Sequence, residues 1–478
     1  MVLWLYRSAV GRPILDAVSD SVTAGIDIGT TSVKAVAVDE DGHVLARARV
    51  AHPLLATAPD RLEHDAARAW RLGPMTALAE VSPELEISAV CVCGMVPSLT
   101  VVDERGQPQS AGLLYGDARG RTEGDVAVAG EAVTDMPDAV GFLRWAAKEA
   151  PEATGYWPAQ AVANFALGRV PAIDTAMAIS LGPLLKAGEW DKELLTELGV
   201  KLEQLPMVVP MGEAAGTVAG TGATLAAGAV DALCDQIVSG AEDVGDVFVI
   251  CGATLVAWIV VGEWLEVPGL WTVPHTVPDR VLVGGPSNAG GLFIDWVRSI
   301  AGGGAAHRSL GHPVPLPERV GRPDHVPVWL PYLRGERVPF HDPTLRASLF
   351  GLDIAHDAMA VERAAYEASG FVVRQMLERA GVGAKRIVAS GGGTRSAVWM
   401  QALADATGLP VDILAVHEGA ALGAAYLARM AAGSEATLIG ARRWARVGYR
   451  VDPDPVWQAA ADNRYRSFVE HGPGRSGE

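Results

Sequence analysis

Two segments about half a chain apart share one build, and this repetition constrains the fold more than any other feature of the sequence. In AGIDIGTTSVKAVAVDEDGHVLARARV, residues 24–50, apolar residues at Ile26, Ile28, Val33, Ala35 and Ala37 alternate with others around a Gly29-Thr30-Thr31 turn. That alternation has the period of a β-strand, and Asp41-Gly42 supplies a second turn, so the segment reads as three antiparallel strands. In GDVFVICGATLVAWIVVGEW, residues 245–264, an apolar strand, a Gly252-Ala253-Thr254 turn and another apolar strand repeat the pattern. Two such units predict an α/β protein of two related domains facing each other. A chain of 478 residues has room for them, at about 150 residues per domain.

Around the hairpins the pattern turns helical. Residues 137–149 and 191–204 carry apolar residues at i, i+3, i+4 spacing, and helices are expected over 291–300, 356–380, 396–407 and 418–432. A strand over 385–390 runs into Gly391-Gly392-Gly393, another is expected at 410–414, and 301–345 reads as a Gly/Pro-rich loop region. The expected division is an N-terminal extension (1–21), a first domain (22–240), a second domain (241–455) and a frayed polar tail (456–478).

Lys and Arg total 39 against 56 Asp and Glu, a formal charge of −17 that repels phosphate backbones and argues against a nucleic-acid partner. A small phosphate-bearing molecule stays open, because backbone N–H groups and a metal bind phosphate locally. The four cysteines do not form a disulfide framework; Cys91 and Cys93 read as buried reduced thiols, which fits a cytoplasmic protein. No apolar run approaches the roughly 20 residues of a membrane span, so no membrane partner is expected. Trp145, Trp190 and Trp296 read as core, and His64 and His341 as ordinary packed or surface histidines.

Three segments carry chemistry. The tip of the first hairpin exposes N–H groups of Gly29, Thr30 and Thr31 that suit phosphate oxygens, with threonine hydroxyls as added donors. Just before it, the Asp27 carboxylate suits Mg²⁺ held through water, and Lys34 lies on the following strand. The glycines at 391–393 precede a helix N-terminus and suit close approach of a base or phosphate, with tight strand–helix packing as the even alternative. In AAGAVDALCDQIVSGAED, residues 226–243, a small-residue strand is read as ending in Asp235-Gln236, with a helix from Ile237. An aspartate at the end of a strand, just before a helix, is placed to take a proton from a substrate hydroxyl. Helix capping is the plain alternative for Asp235, and Asp231 is the nearby competitor.

Taken together these residues resemble the FGGY carbohydrate kinases, sugar and polyol kinases of the actin/hexokinase/Hsp70 ATPase superfamily, from about Gly25 to Met430. GIDIGTTSVKAVAVD and GDVFVICGATL resemble the two phosphate segments of that family, and GLLYGDARGRT its Trp-x-Asp-x-Arg strand, with Tyr115 near the aromatic position. VPVWLPYLRGERVPFHDP resembles its Leu-Pro-Tyr…Gly-Glu-Arg…Pro stretch, and SGGGTRSAVWMQALADATGLPV with EGAALGAAYLA its adenosine segment and closing helix. The resemblance implies two ribonuclease H-like domains flanking a catalytic cleft, with ATP and Mg²⁺ as cofactors and a small sugar or polyol as acceptor, a xylulose-type ketose first. It implies Asp235 as general base, and Asp27 with Asp235 at the metal. Nucleotide contacts fall on Gly29, Thr30, Thr31, Gly252, Thr254, Gly291, Gly391, Gly392, Arg395 and Ser396, and acceptor contacts on Met95, Val96, Asp117 and Asp235. Homodimers are common in that family.

The sequence departs from the family pattern in three places. Ala253 stands where threonine is usual in the second turn. Met95-Val96-Pro97 replaces the Gln-Met-His of ketopentose kinases and leaves an apolar pocket edge. Leu114 or Tyr115 replaces the Trp. These motivate a second reading, a catalytically impaired pseudokinase that binds nucleotide or sugar as a regulator.

Overall fold

The computed structural model describes residues 21–58, 61–122, 138–186, 188–301 and 322–473. The expected N-terminal extension before Ser21, residues 302–321 of the Gly/Pro-rich stretch and the last residues of the tail lie outside the described residues. These form two compact units. One holds the chain as far as Val238 together with Glu418–Ala445; the other holds Ser239–His417 and the chain from Arg446 onward.

The first unit is built on a seven-stranded sheet. Val22–Ile28, Ser32–Val38 and Val44–Ala51 run antiparallel as expected, with Asp27 opposite Lys34 in register. Val22–Ile28 pairs in parallel with Ile87–Gly94, which pairs in parallel with both Thr224–Ala226 and Ala229–Val230; Ala214–Thr217 closes that edge antiparallel. The second unit repeats the order. Asp246–Cys251, Leu255–Val261 and Val281–Ser287 are antiparallel, Asp246–Cys251 pairs in parallel with Arg386–Ser390, and Val411–Leu414 follows in parallel. Each unit thus places two parallel strands beside the first strand of a three-stranded antiparallel meander, which is the shared ribonuclease H-like plan the paired hairpins implied. The central strands are almost wholly buried, as strands covered on both faces must be, and so they read as near-continuous apolar runs.

The helix Gly419–Ala431 packs in the first unit, although the linear division at 240 assigned it to the second domain. Its small residues explain this. A Cβ on Gly25 would lie 1.8 Å from the Ala421 carbonyl oxygen, and one on Gly423 would lie 1.9 Å from that of Cys234, so backbone meets backbone at both crossings. Beside the sheet, a five-stranded sheet carries Arg61–His64 next to Gly112–Leu114.

Three further expectations are corrected. The helix expected over 191–204 spans only Lys192–Glu197, because Gly199 turns into the left-handed region at φ +71° and a separate 3₁₀ turn follows at Leu202–Gln204. The polar tail is an ordered helix, Pro455–His471, capped by Asp454; Ala461, Arg464, Tyr465 and Phe468 recur at helical spacing and are buried, and Arg464 pairs with Glu367. Trp296 is 37% exposed, edge-on to Trp329, rather than core. All four cysteines are buried and unbridged. Among the described residues no helix is long and apolar enough to cross a membrane.

Candidate active site

In the first unit the sheet delivers a set of charged groups to one place. Asp27, the last residue but one of its strand, is buried and its Oδ2 accepts from Lys34 Nζ at 3.0 Å. The Asp27 charge is the main reason the Lys34 ammonium is held above its usual range; Asp235 and Glu418 add to it. Lys34 also flanks the hairpin tip, its Nζ 3.8 Å from where a Cβ on Gly29 would stand. Gly29 N bonds to Ser32 O, which closes the turn. Thr31 is exposed at the tip, whereas the Thr30 hydroxyl is 2.7 Å from Tyr115 Oη.

The third chemical segment folds differently from the expectation. The strand is only Ala229–Val230, and the helix begins at Asp231 and runs to Ile237. The aspartate at the strand-to-helix junction is therefore Asp231, and Asp235 stands one turn inside the helix, 6% exposed. Asp231 thus takes the junction position read for Asp235, which stays close enough to Lys34 for its charge to act there. The Asp231 carboxyl is pushed up to about 7, first by burial and then by the negative charge of Asp27, while its Oδ1 accepts from Ala232 N at 2.7 Å. Gln160 holds the junction in place: buried, it donates from Nε2 to Gly94 O at 2.9 Å and Ala229 O at 3.1 Å, tying together two neighbouring strand ends. Nothing in its local sequence signals this, since the two carbonyls lie far away along the chain.

Two expected acceptor contacts are corrected. Asp117 is fully buried, and both its oxygens are engaged: Oδ1 accepts from Arg119 N and Nε, Oδ2 from Leu62 N and Arg119 Nη2. A carboxylate offers about four acceptor positions, so none is left for a substrate hydroxyl. Met95 is 3% exposed within the core, so of the pair only Val96 presents side-chain surface. His64 is packed as expected: it accepts from Trp70 Nε1 through Nδ1 and donates from Nε2 to Thr30 O at 2.8 Å, and burial pushes its pKa down to about 4.

In the second unit the glycines pack as much as they expose. Gly291 N donates to Gly252 O and Leu292 N to Ala253 O, both at 2.9 Å, so the second turn caps the helix Gly291–Ile300. Gly291, read as a nucleotide-contacting glycine, therefore has its N–H taken by the turn. A Cβ on Gly391, at φ +88°, would stand 2.8 Å from Cys251 O, which is the tight-packing alternative, whereas one on Gly392 would meet only Arg395 Nη1, at an ordinary 3.8 Å. Ser396 Oγ accepts from Trp399 N as the cap of the helix Ala397–Thr407; Arg395 is half-buried beside it and ends the 3₁₀ turn Gly392–Arg395. Gly252 and Thr254 are half-buried at the turn.

Models of the FGGY family of carbohydrate kinases match in sequence order, the N-terminal domain over residues 22–127 and the C-terminal domain over 247–432. The chain belongs to the FGGY family of carbohydrate kinases. The two family domains contain the Gly29 and Gly252 hairpins respectively. The chain is 25% identical over 452 residues to the xylulose kinase of Escherichia coli (strain K12), covering 87% of this chain and 91% of that protein. It is likewise 25% identical over 453 residues to the gluconokinase of Bacillus subtilis (strain 168), covering 86% and 88%. Among solved structures, the xylulose kinase from Rhodospirillum rubrum superimposes with a TM-score of 0.72 at 26% identity, covering 94% of this chain and 98% of that one. As an FGGY member this protein is a carbohydrate kinase, and ATP is the phosphoryl donor the family implies.

Proposed function

We propose that this kinase transfers the terminal phosphoryl group of ATP to a hydroxyl of a small sugar or polyol, with Asp231 as general base. The observation that carries the reading is Asp231 itself, a carboxyl at a strand-to-helix junction whose pKa of about 7 suits proton uptake near neutral pH. Lys34, pinned by Asp27, keeps a cation beside the Gly29 turn, where negative charge would gather. The exposed Thr31 and the N–H groups of Thr30 and Thr31 are the phosphate donors in the first unit, the Gly29 N–H being taken by Ser32 O; Thr254, Gly392 and Arg395 serve the nucleotide in the second, where Thr254 O takes the Gly252 N–H.

Among the described residues no group of three or more His, Cys, Asp or Glu gathers to cage a metal. A single buried carboxylate such as Asp27 fits Mg²⁺, which keeps most of its waters and takes one or two protein carboxylates. When bound, that ion would neutralise charge on the phosphates. Xylulose-type ketoses and gluconate are the two acceptor classes to try first, since relatives of both names match the chain at equal identity. A coupled ADP-release assay over ketoses, aldonates and polyols tests the reading. Acceptor-dependent turnover that falls about 10²- to 10⁴-fold in Asp231→Asn supports it. Turnover with none of the panel, or an Asp231→Asn enzyme within tenfold of the parent, refutes it.

A further inference from the structure

Thr30, at the tip of the first hairpin, is held by two side chains from another sheet. Its carbonyl oxygen accepts from His64 Nε2 at 2.8 Å, and its hydroxyl is 2.7 Å from Tyr115 Oη. His64 ends one strand, Tyr115 follows the next, and the two strands pair with His64 opposite Gly112. Both contacts therefore come from one sheet edge, and both are braced from behind. Trp70 Nε1 donates to His64 Nδ1 at 3.0 Å. Two residues beyond Tyr115, Asp117 is tied to Leu62 N and to Arg119, whose Nη2 also pairs with Glu63.

A threonine hydroxyl has one hydrogen and two acceptor positions. The phenol is the more acidic of the two hydroxyls, so it is the better donor, and Thr30 Oγ1 is left as acceptor with its own hydrogen unspent. We propose that Tyr115 is a positioning residue for the first phosphate hairpin: by donating to Thr30 Oγ1 it turns the threonine hydrogen toward a terminal phosphate oxygen. The inference rests on reading the Gly29 turn as a phosphate segment. It gives Tyr115 a task on the nucleotide side, distinct from an aromatic that lines the acceptor.

The test measures calorimetric binding of Mg·AMP-PNP and Mg·ADP to the full-length protein and to Tyr115→Phe, Thr30→Val, Thr30→Ser and the Tyr115→Phe/Thr30→Val double variant. Each loss of one oriented hydrogen bond should weaken Mg·AMP-PNP about fivefold, with Mg·ADP, which lacks the terminal phosphate, changed less. The double variant should bind no more weakly than Thr30→Val alone, because Tyr115 then has no hydroxyl to orient. Thr30→Ser should bind as the parent does. Parental affinity in Tyr115→Phe, or two losses that simply multiply in the double variant, would overturn the assignment. So would a Tyr115→Phe enzyme that raises only the KM for the acceptor. Unchanged binding in Thr30→Val would instead remove the phosphate reading of the turn, and the proposal with it.

Discussion

Replacing Asp231 by Asn should make the folded protein more stable above neutral pH while removing nearly all turnover. The Asp231 carboxyl titrates at about 7 in the folded chain against 3.8 for an ordinary aspartate, with burial as the main cause. Between those values the folded state keeps a proton that the unfolded chain has released, so stability falls as pH rises through that interval. Each unit is worth about 1.4 kcal/mol, which sets a ceiling of about 4 kcal/mol above pH 7. Asp231 is partly exposed, and solvent screening brings the expected cost nearer to about 2 kcal/mol. Asparagine carries no charge to desolvate and keeps an oxygen to accept from Ala232 N. Urea unfolding of parent and Asp231→Asn at pH 8 and pH 4.5 reads the difference directly. The variant should unfold at higher urea at pH 8, with the advantage shrinking toward pH 4.5. A variant no more stable than the parent at pH 8, or an advantage independent of pH, would refute the argument. Burial of this carboxyl would then have another compensation, and its fitness as a base would lose its physical basis.

Other substitutions probe the frame. Gly25→Ala drives a methyl group into the Ala421 carbonyl at 1.8 Å, where only backbone can yield; a loss of about 3 kcal/mol or more is expected in chemical denaturation, with reduced soluble yield. Arg119→Ala strands the buried Asp117 carboxylate and should cost about 3–5 kcal/mol, whereas an acceptor contact at Asp117 would instead show as a KM change at parental stability. Phe468→Ala opens a cavity in the second unit beneath the C-terminal helix and should cost about 3–5 kcal/mol by the same measurement, with kcat per folded molecule unchanged; parental stability would return the tail to the frayed state first expected of it.

Much of the fold is legible in the residues because its signals are local. Alternation around Gly29 and Gly252 marks both hairpins, and apolar spacing marks the helices Asp138–Glu149, Gly291–Ile300 and Ala358–Ala380 to within two residues. The boundary at Asp231 is illegible for a local reason as well. Ala226–Val230 is a run of small residues without period, the strand is two residues long, and the helix is entered from Val230 with no side-chain cap to announce it. The ordered tail shows the reverse failure: Trp457, Ala461, Arg464 and Phe468 carry helical spacing, but a polar average conceals it.

The chain's own residue order dictates two ribonuclease H-like hairpin units and the presence of carboxylates, glycines and threonines suited to phosphoryl transfer, because strand period, turn chemistry and family pattern act over a few residues each. Which carboxylates keep a task is a matter of long-range packing. Asp117 loses its acceptor positions to Leu62 and Arg119, Asp231 acquires its raised pKa from burial near Asp27, and Thr30 meets Tyr115 and His64 across strands distant in the chain. A lone pair or a proton affinity depends on everything that surrounds it, and those surroundings exist only once distant segments have come together.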